Sequence, residues 1–191
     1  MSHLRIRLLN IASVFLLSLL PCFAHAQEDA WTVLRGGGVA LLRHAAPNRE
    51  HDSQALLRSE DCQGQRWLSD SGHAQAAAMG RHFRREGIGA ARVLTSPLCP
   101  ARATAEALGL GPPEVYRGLV VATTDRSVWS TRAADVLRRL IADWRGPGAL
   151  VLVTHLGNIA MLTGVAVDPG EGFVLLAESS GVRLVGRLSL E

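Results

Sequence analysis

Two histidines far apart in the chain each close an apolar run: Val39-Ala40-Leu41-Leu42-Arg43-His44 and Ala149-Leu150-Val151-Leu152-Val153-Thr154-His155. Imidazole suits nucleophilic and proton-transfer work near neutral pH. Arg43, beside the first histidine, adds a guanidinium whose planar fork matches the oxygens of a phosphoryl group. If the two tips meet, they form a cationic hole. Carboxylates at metal-ligand spacing are missing and no His-Glu-x-x-His occurs, so neither a metal nor another cofactor is expected there. Such a hole suits a phosphate, and the arginine charge keeps a neighbouring imidazole neutral and nucleophilic. For either histidine alone, a strand end satisfied by a local hydrogen bond is the competing reading. The pair, with Arg43 beside one member, favours one shared site.

The elements that must position these residues follow from the pattern around them. Apolar runs of this kind fit central parallel strands covered on both faces, and in open α/β sheets ligands sit beyond the carboxyl ends of the strands. From Pro47 to Gln65 the composition turns polar, which predicts a long loop overhanging the site. Ser69 or Asp70 caps a helix that runs through Gln75, Met79 and Phe83 to Gly87. Arg92 to Thr95 is a second strand, and a helix from Pro100 to Leu108 is closed by Gly109, Gly111 and two prolines. Pro112 to Asp125 has no clear pattern beyond a short strand near Val120. From about Ser127, Trp129, Ala133, Val136, Leu137, Leu140, Ile141 and Trp144 recur at helical spacing, with the tryptophans in the core. Asn158 to Thr163 is a short helix, and Gly172 to Glu178 with Val182 to Leu190 form an antiparallel hairpin. Gln27 to Arg35 reads as a short lead-in. Strands alternating with helices predict an α/β fold, a three-layer sandwich with a mostly parallel central sheet and helices on both faces.

Residues 1–26 read as a signal peptide: Arg5 and Arg7, an apolar stretch from Ile11 to Leu20, and Ala24-His25-Ala26 as the cleavage site. Pro21 occupies the small-residue position before Cys22 and disfavours lipidation. The remainder, 27–191, is expected to be one domain without a stable membrane anchor, periplasmic or secreted. The formal charge of +3 falls to +1 without Arg5 and Arg7, which gives no electrostatic case for a nucleic-acid partner. All 20 basic residues are arginine, and Arg84-Arg85 and Arg138-Arg139 read as solvated helix faces. Cys62 and Cys99 remain after cleavage, an even number in an oxidising compartment, and one disulfide between them is plausible.

Three segments in order carry a family resemblance. Leu42-Arg43-His44-Ala45, then Thr95-Ser96-Pro97-Leu98 leading into Ala101 and Thr104-Ala105-Glu106-Ala107-Leu108, then Val153-Thr154-His155 together resemble the histidine phosphatase superfamily, the phosphoglycerate mutase-like proteins. The likeness runs from Val39 to the C-terminus. It is nearest to small exported bacterial members, through Arg-His-Ala, Cys62-x-x-Gln65-Arg66-x-Leu68-Ser69 and Thr154-His155-x-x-Asn158. The resemblance implies that His44 attacks phosphorus and becomes phosphohistidine, while Arg43 and His155 hold the equatorial oxygens and water then releases phosphate.

Two departures stand out. The family pattern places a second phosphate-gripping arginine where this chain has Pro100. Proline fits a first helical turn, but the swap removes a charge. Arg102 lies two residues on, about 200° around the helix; Arg49 and Arg66, on the overhanging segment or its exit, are the other candidates to bind substrate. The general acid is the second gap. The position after His155 is Leu156, Glu114 and Asp125 carry no clear motif, and Glu171 in Pro169-Gly170-Glu171-Gly172 is a possible acid or a turn residue. The expected function is an exported phosphomonoesterase acting on a phosphorylated small molecule. The alternatives are an impaired member that binds a phosphorylated ligand without efficient turnover and, third, a sugar-phosphate mutase. No Gly-x-Ser-x-Gly elbow supports a serine hydrolase.

Overall fold

The structure is a computed structural model that describes residues 29–48, 62, 67–120, 128–179 and 181–189, with side chains of the 128–142 helix from 134 onward. The expected signal segment, Arg49, Arg66, Asp125 and Trp129's side chain lie outside the described residues.

The apolar runs form the middle of a six-stranded sheet. In chain order the strands are β1 (Val39–Arg43), β2 (Arg92–Thr95), β3 (Pro113–Val115), β4 (Leu150–Thr154), β5 (Gly172–Glu178) and β6 (Gly181–Leu188). Their order across the sheet is β3-β2-β4-β1-β5-β6. β1, β2, β3 and β4 pair in parallel, whereas β5 runs antiparallel to β1 and β6 antiparallel to β5. Alternate residues of each central strand face opposite layers, so both faces must be covered. Ala40, Leu42, Val151 and Val153 pack with α1 (Ala30–Arg35), α2 (Asp70–Arg85) and α3 (Cys99–Leu108), through Leu34, Phe83 and Leu108. Val39, Leu41, Leu150 and Leu152 meet Leu137, Ile141 and Ile159 of α4 (Val128–Ala142) and α5 (Leu156–Thr163). The result is the expected three-layer α/β sandwich. Leu41 and Leu152 are wholly buried, and truncating either to alanine costs about 2–5 kcal/mol.

Three local features differ from the sequence reading. The lead-in contains a helix, because the Asp29 carboxylate accepts the Thr32 amide at 2.9 Å and caps α1. The strand expected near Val120 lies earlier, at Pro113–Val115, where Val93 pairs with Pro113 at the sheet edge; proline lacks a donor and is tolerated on an edge strand. A single 3-10 turn, Arg117–Leu119, follows it. The helix after His155 starts at Leu156, with His155 as its N-cap. Among the described residues no helix is long and apolar enough to cross a membrane.

Candidate active site

Backbone pairing brings the two histidines together. Arg43 is the register partner of Thr154 in the parallel β1–β4 ladder, so His44 and His155 are the next residues off adjacent strands. The His44 amide still donates to the Thr154 carbonyl at 2.9 Å. The imidazole centroids lie 5.3 Å apart, edge to face. On the far side of β4, Ser96 leaves the tip of β2, its amide donating to the Val153 carbonyl at 3.0 Å. The carboxyl ends of three neighbouring strands thus present Ser96, His155 and His44 side by side, at the crevice where open α/β sheets bind ligands.

Hydrogen bonds decide what each ring can do. Nδ1 of His44 lies 2.8 Å from the Ala45 carbonyl oxygen. A carbonyl only accepts, so Nδ1 carries the hydrogen and the Nε2 of the neutral ring carries a lone pair. Nε2 of His155 lies 2.8 Å from the Ser96 hydroxyl. Burial, followed by the charges of His44 and Arg43, pushes the His155 pKa down from 6.5 to about 3, and the ring is neutral at physiological pH.

Arg43 is partly buried. Its Nη1 donates to the Val167 carbonyl at 2.7 Å, while its buried Nε has no hydrogen-bond partner among the described residues. Burial lowers its pKa and Asp168 opposes the shift, yet a guanidinium keeps its proton in any such setting. A buried charged donor without a partner is costly.

The surrounding frame holds these groups in place. Thr104 of α3 accepts the Ala45 amide at 2.9 Å and donates to the Pro100 carbonyl at 2.6 Å. Gln75 of α2 bridges the segments on either side of Arg43, accepting the Ala46 amide at 3.1 Å and donating to the Pro169 carbonyl at 2.7 Å. Gly170 sits at φ +81° with the Gln75 amide carbon 2.5 Å from where a Cβ would stand, so a larger residue there would be strained and would have to displace that amide. Buried Asn158 and Thr154 both donate to the Leu119 carbonyl at 2.9 Å and fix the 3-10 turn against the base of the site.

The other candidate residues fall in different places. Pro100 is buried in the first turn of α3, as its helix-starting role requires. Arg102 directs Nη1 to the Cys62 sulfur at 3.9 Å. Cys62 and Cys99 are joined in a disulfide across Cα atoms 5.7 Å apart, tying residue 62 to the head of α3. Glu171 is engaged in a clasp: its carboxylate accepts the Asp168 amide at 2.8 Å and pairs with Arg187 of β6. Burial alone would raise its pKa, but the Arg187 hydrogen bond, the Asp168 amide and the Arg187 charge lower it on balance. A carboxylate held ionised in a turn is poorly suited to donate a proton. Glu114 is exposed and forms a bidentate pair with Arg92 at 2.9 and 3.0 Å. Reasoning from sequence assigned no role to Ser96, Gln75 or the Val167 carbonyl. Ser96 lies inside one of the segments carrying the resemblance and was legible there; the others become visible only in three dimensions.

Residues 39–119 match the histidine phosphatase superfamily (branch 1), a span covering β1, α2, β2, α3 and β3. Solved structures of this fold align over most of the chain. The protein histidine phosphatase SixA complexed with tungstate matches at 19% identity and TM-score 0.55, covering 80% of this chain and 96% of that one. Phosphoserine phosphatase from Entamoeba histolytica in complex with 3-phosphoglyceric acid matches at 15% identity and TM-score 0.60, over 81% and 98% of the two chains. A mycobacterial glucosyl-3-phosphoglycerate phosphatase with inorganic phosphate matches at 19% identity and TM-score 0.58, over 78% and 95%. No curated protein sequence matches the chain.

Proposed function

We propose that this chain is a member of the histidine phosphatase superfamily and an exported phosphomonoesterase that hydrolyses a phosphorylated small molecule through a phosphohistidine on His44. The observation that carries the reading is the approach of the His44 and His155 imidazoles to 5.3 Å at the tips of adjacent strands, next to Arg43, whose buried Nε has no hydrogen-bond partner among the described residues. The lone pair on His44 Nε2 attacks phosphorus. The P–N bond forms as the P–O bond to the leaving group breaks, and the leaving oxygen departs with the bonding pair. The Nδ1 hydrogen bond to Ala45 spreads the positive charge that grows on the ring. Arg43 and His155 hold the equatorial oxygens, where fixed donors meet the charge of the transition state. Water then attacks the phosphohistidine, releasing inorganic phosphate and restoring His44. The phosphatases of the same fold, with tungstate, 3-phosphoglyceric acid or inorganic phosphate bound, support an oxyanion at this place. Export rests on the signal-like residues 1–26 and suits the Cys62–Cys99 disulfide.

The test is hydrolysis of p-nitrophenyl phosphate by the chain from residue 27 onward. Turnover is expected and is lost, by a factor of about 1,000 or more, in His44→Ala with unchanged circular dichroism. Equal rates in the two proteins would overturn the reading.

One observation favours a second reading, a phosphate-binding protein with weak turnover. Pro100 stands where the superfamily pattern has an arginine, and Arg102 is turned toward Cys62. Inorganic phosphate binding, retained while turnover is undetectable, is the result that would select it.

A further inference from the structure

We propose that Ser96 is a positioning residue that fixes the tautomer of His155, so that the ring meets the phosphoryl group with Nδ1–H; this rests on the phosphatase reading above. Ser96 is wholly buried. Its hydroxyl has two partners among the described residues: the Leu98 amide at 3.3 Å and His155 Nε2 at 2.8 Å. The amide can only donate, so it occupies an oxygen lone pair and leaves the hydroxyl hydrogen to be placed. A buried hydroxyl hydrogen without an acceptor is unfavourable, and Nε2 is the acceptor within reach. Nε2 therefore accepts, and the ring's one hydrogen is on Nδ1. A doubly protonated ring would make Nε2 a donor and leave the Ser96 hydrogen without an acceptor, which agrees with the depressed basicity of His155.

The two histidines then share one tautomer but use it in opposite senses. His44 spends Nδ1–H on the backbone and offers the Nε2 lone pair to phosphorus. His155 has its Nε2 lone pair occupied by Ser96 and offers Nδ1–H to an oxygen. In the other tautomer, Nδ1 would present a lone pair and repel that oxygen. Ser96 reaches His155 because β2 and β4 are parallel neighbours in register at Thr95 and Val153, one residue before Ser96 and two before His155.

Long-range proton–nitrogen correlation spectra of the histidine side chains test this without requiring turnover. In the wild-type chain at pH 7, His155 is expected as the Nδ1–H tautomer, and in Ser96→Ala its nitrogen shifts move toward a mixture of the two. Hydrolysis of p-nitrophenyl phosphate should fall about tenfold in kcat in Ser96→Ala, with KM changed less than twofold, the size of one uncharged hydrogen bond. An Nε2–H tautomer in the wild type, or unchanged His155 shifts in Ser96→Ala, overturns the proposal. A fixed Nδ1–H tautomer in a chain that hydrolyses nothing would leave the Ser96 assignment standing and refute the phosphatase reading instead.

Discussion

The depressed basicity of His155 makes a thermodynamic prediction that needs no substrate. In the unfolded chain this imidazole takes a proton near pH 6.5, whereas in the folded protein it does so only near 3. Between those values the unfolded state binds more protons, so folding stability falls as pH falls through that window and is complete above 6.5. At pH 5 the lost contribution is about 2 kcal/mol, set almost wholly by the unfolded value and therefore insensitive to where in the acid range the folded group titrates. For a domain of this size that amounts to roughly 4–8 °C in Tm. His155→Gln keeps a polar side chain of similar reach but cannot titrate, and every other group is common to both proteins. Thermal or urea unfolding of the pair from pH 7.5 to pH 5 should show the wild type losing about 2 kcal/mol more than the variant. Parallel stability curves would mean that the folded imidazole accepts a proton at its ordinary pH, and the account of a desolvated ring beside His44 and Arg43 would be wrong.

Other perturbations probe the frame. Pro100→Arg restores a guanidinium at the first turn of α3 and should raise kcat/KM on p-nitrophenyl phosphate tenfold or more; an unchanged rate with a native fold would show that another arginine already serves. Replacing both Cys62 and Cys99 by serine opens a bridge spanning 37 residues and should cost about 4 kcal/mol by the chain-entropy relation, read as a lower denaturation midpoint. Gly170→Ala forces an L residue to φ +81° against the Gln75 amide and should destabilise by about 1–3 kcal/mol. Because the same turn leads from the Val167 carbonyl that holds Arg43, its kcat should fall as well, and unaltered kinetics would separate that turn from the site.

The parts of the site legible in sequence were those written in short-range pattern. Four apolar residues ending in Arg43 and His44 declare a buried strand with a polar tip, and the same logic locates His155. The sheet turned that likeness into adjacency, through a β1–β4 pairing that no local pattern specifies. The disulfide followed from parity and compartment, but whether the sulfurs met depended on distance. What stayed hidden was relational. Glu171 beside a proline and glycine could be an acid or a turn residue, and only the position of Arg187 on the neighbouring strand gives it a partner. Ser96 lies in the Thr95–Leu98 segment, yet nothing in Thr-Ser-Pro-Leu indicates which imidazole its hydroxyl will touch. The helix at Ala30–Arg35 was missed because six residues give too little periodicity to stand out from a lead-in.

The pairing of Arg43 with Thr154 acts as a ruler. Parallel strands lie about 4.8 Å apart whatever their sequence, and the 5.3 Å between the imidazole centroids is close to that repeat. The gap for the ligand is therefore inherited from the main chain rather than tuned by side-chain packing. Substitutions deep in either hydrophobic layer should weaken the protein long before they detune the spacing of its two rings, whereas a single inserted residue in β1 or β4 would turn one imidazole away from the other with little loss of buried area.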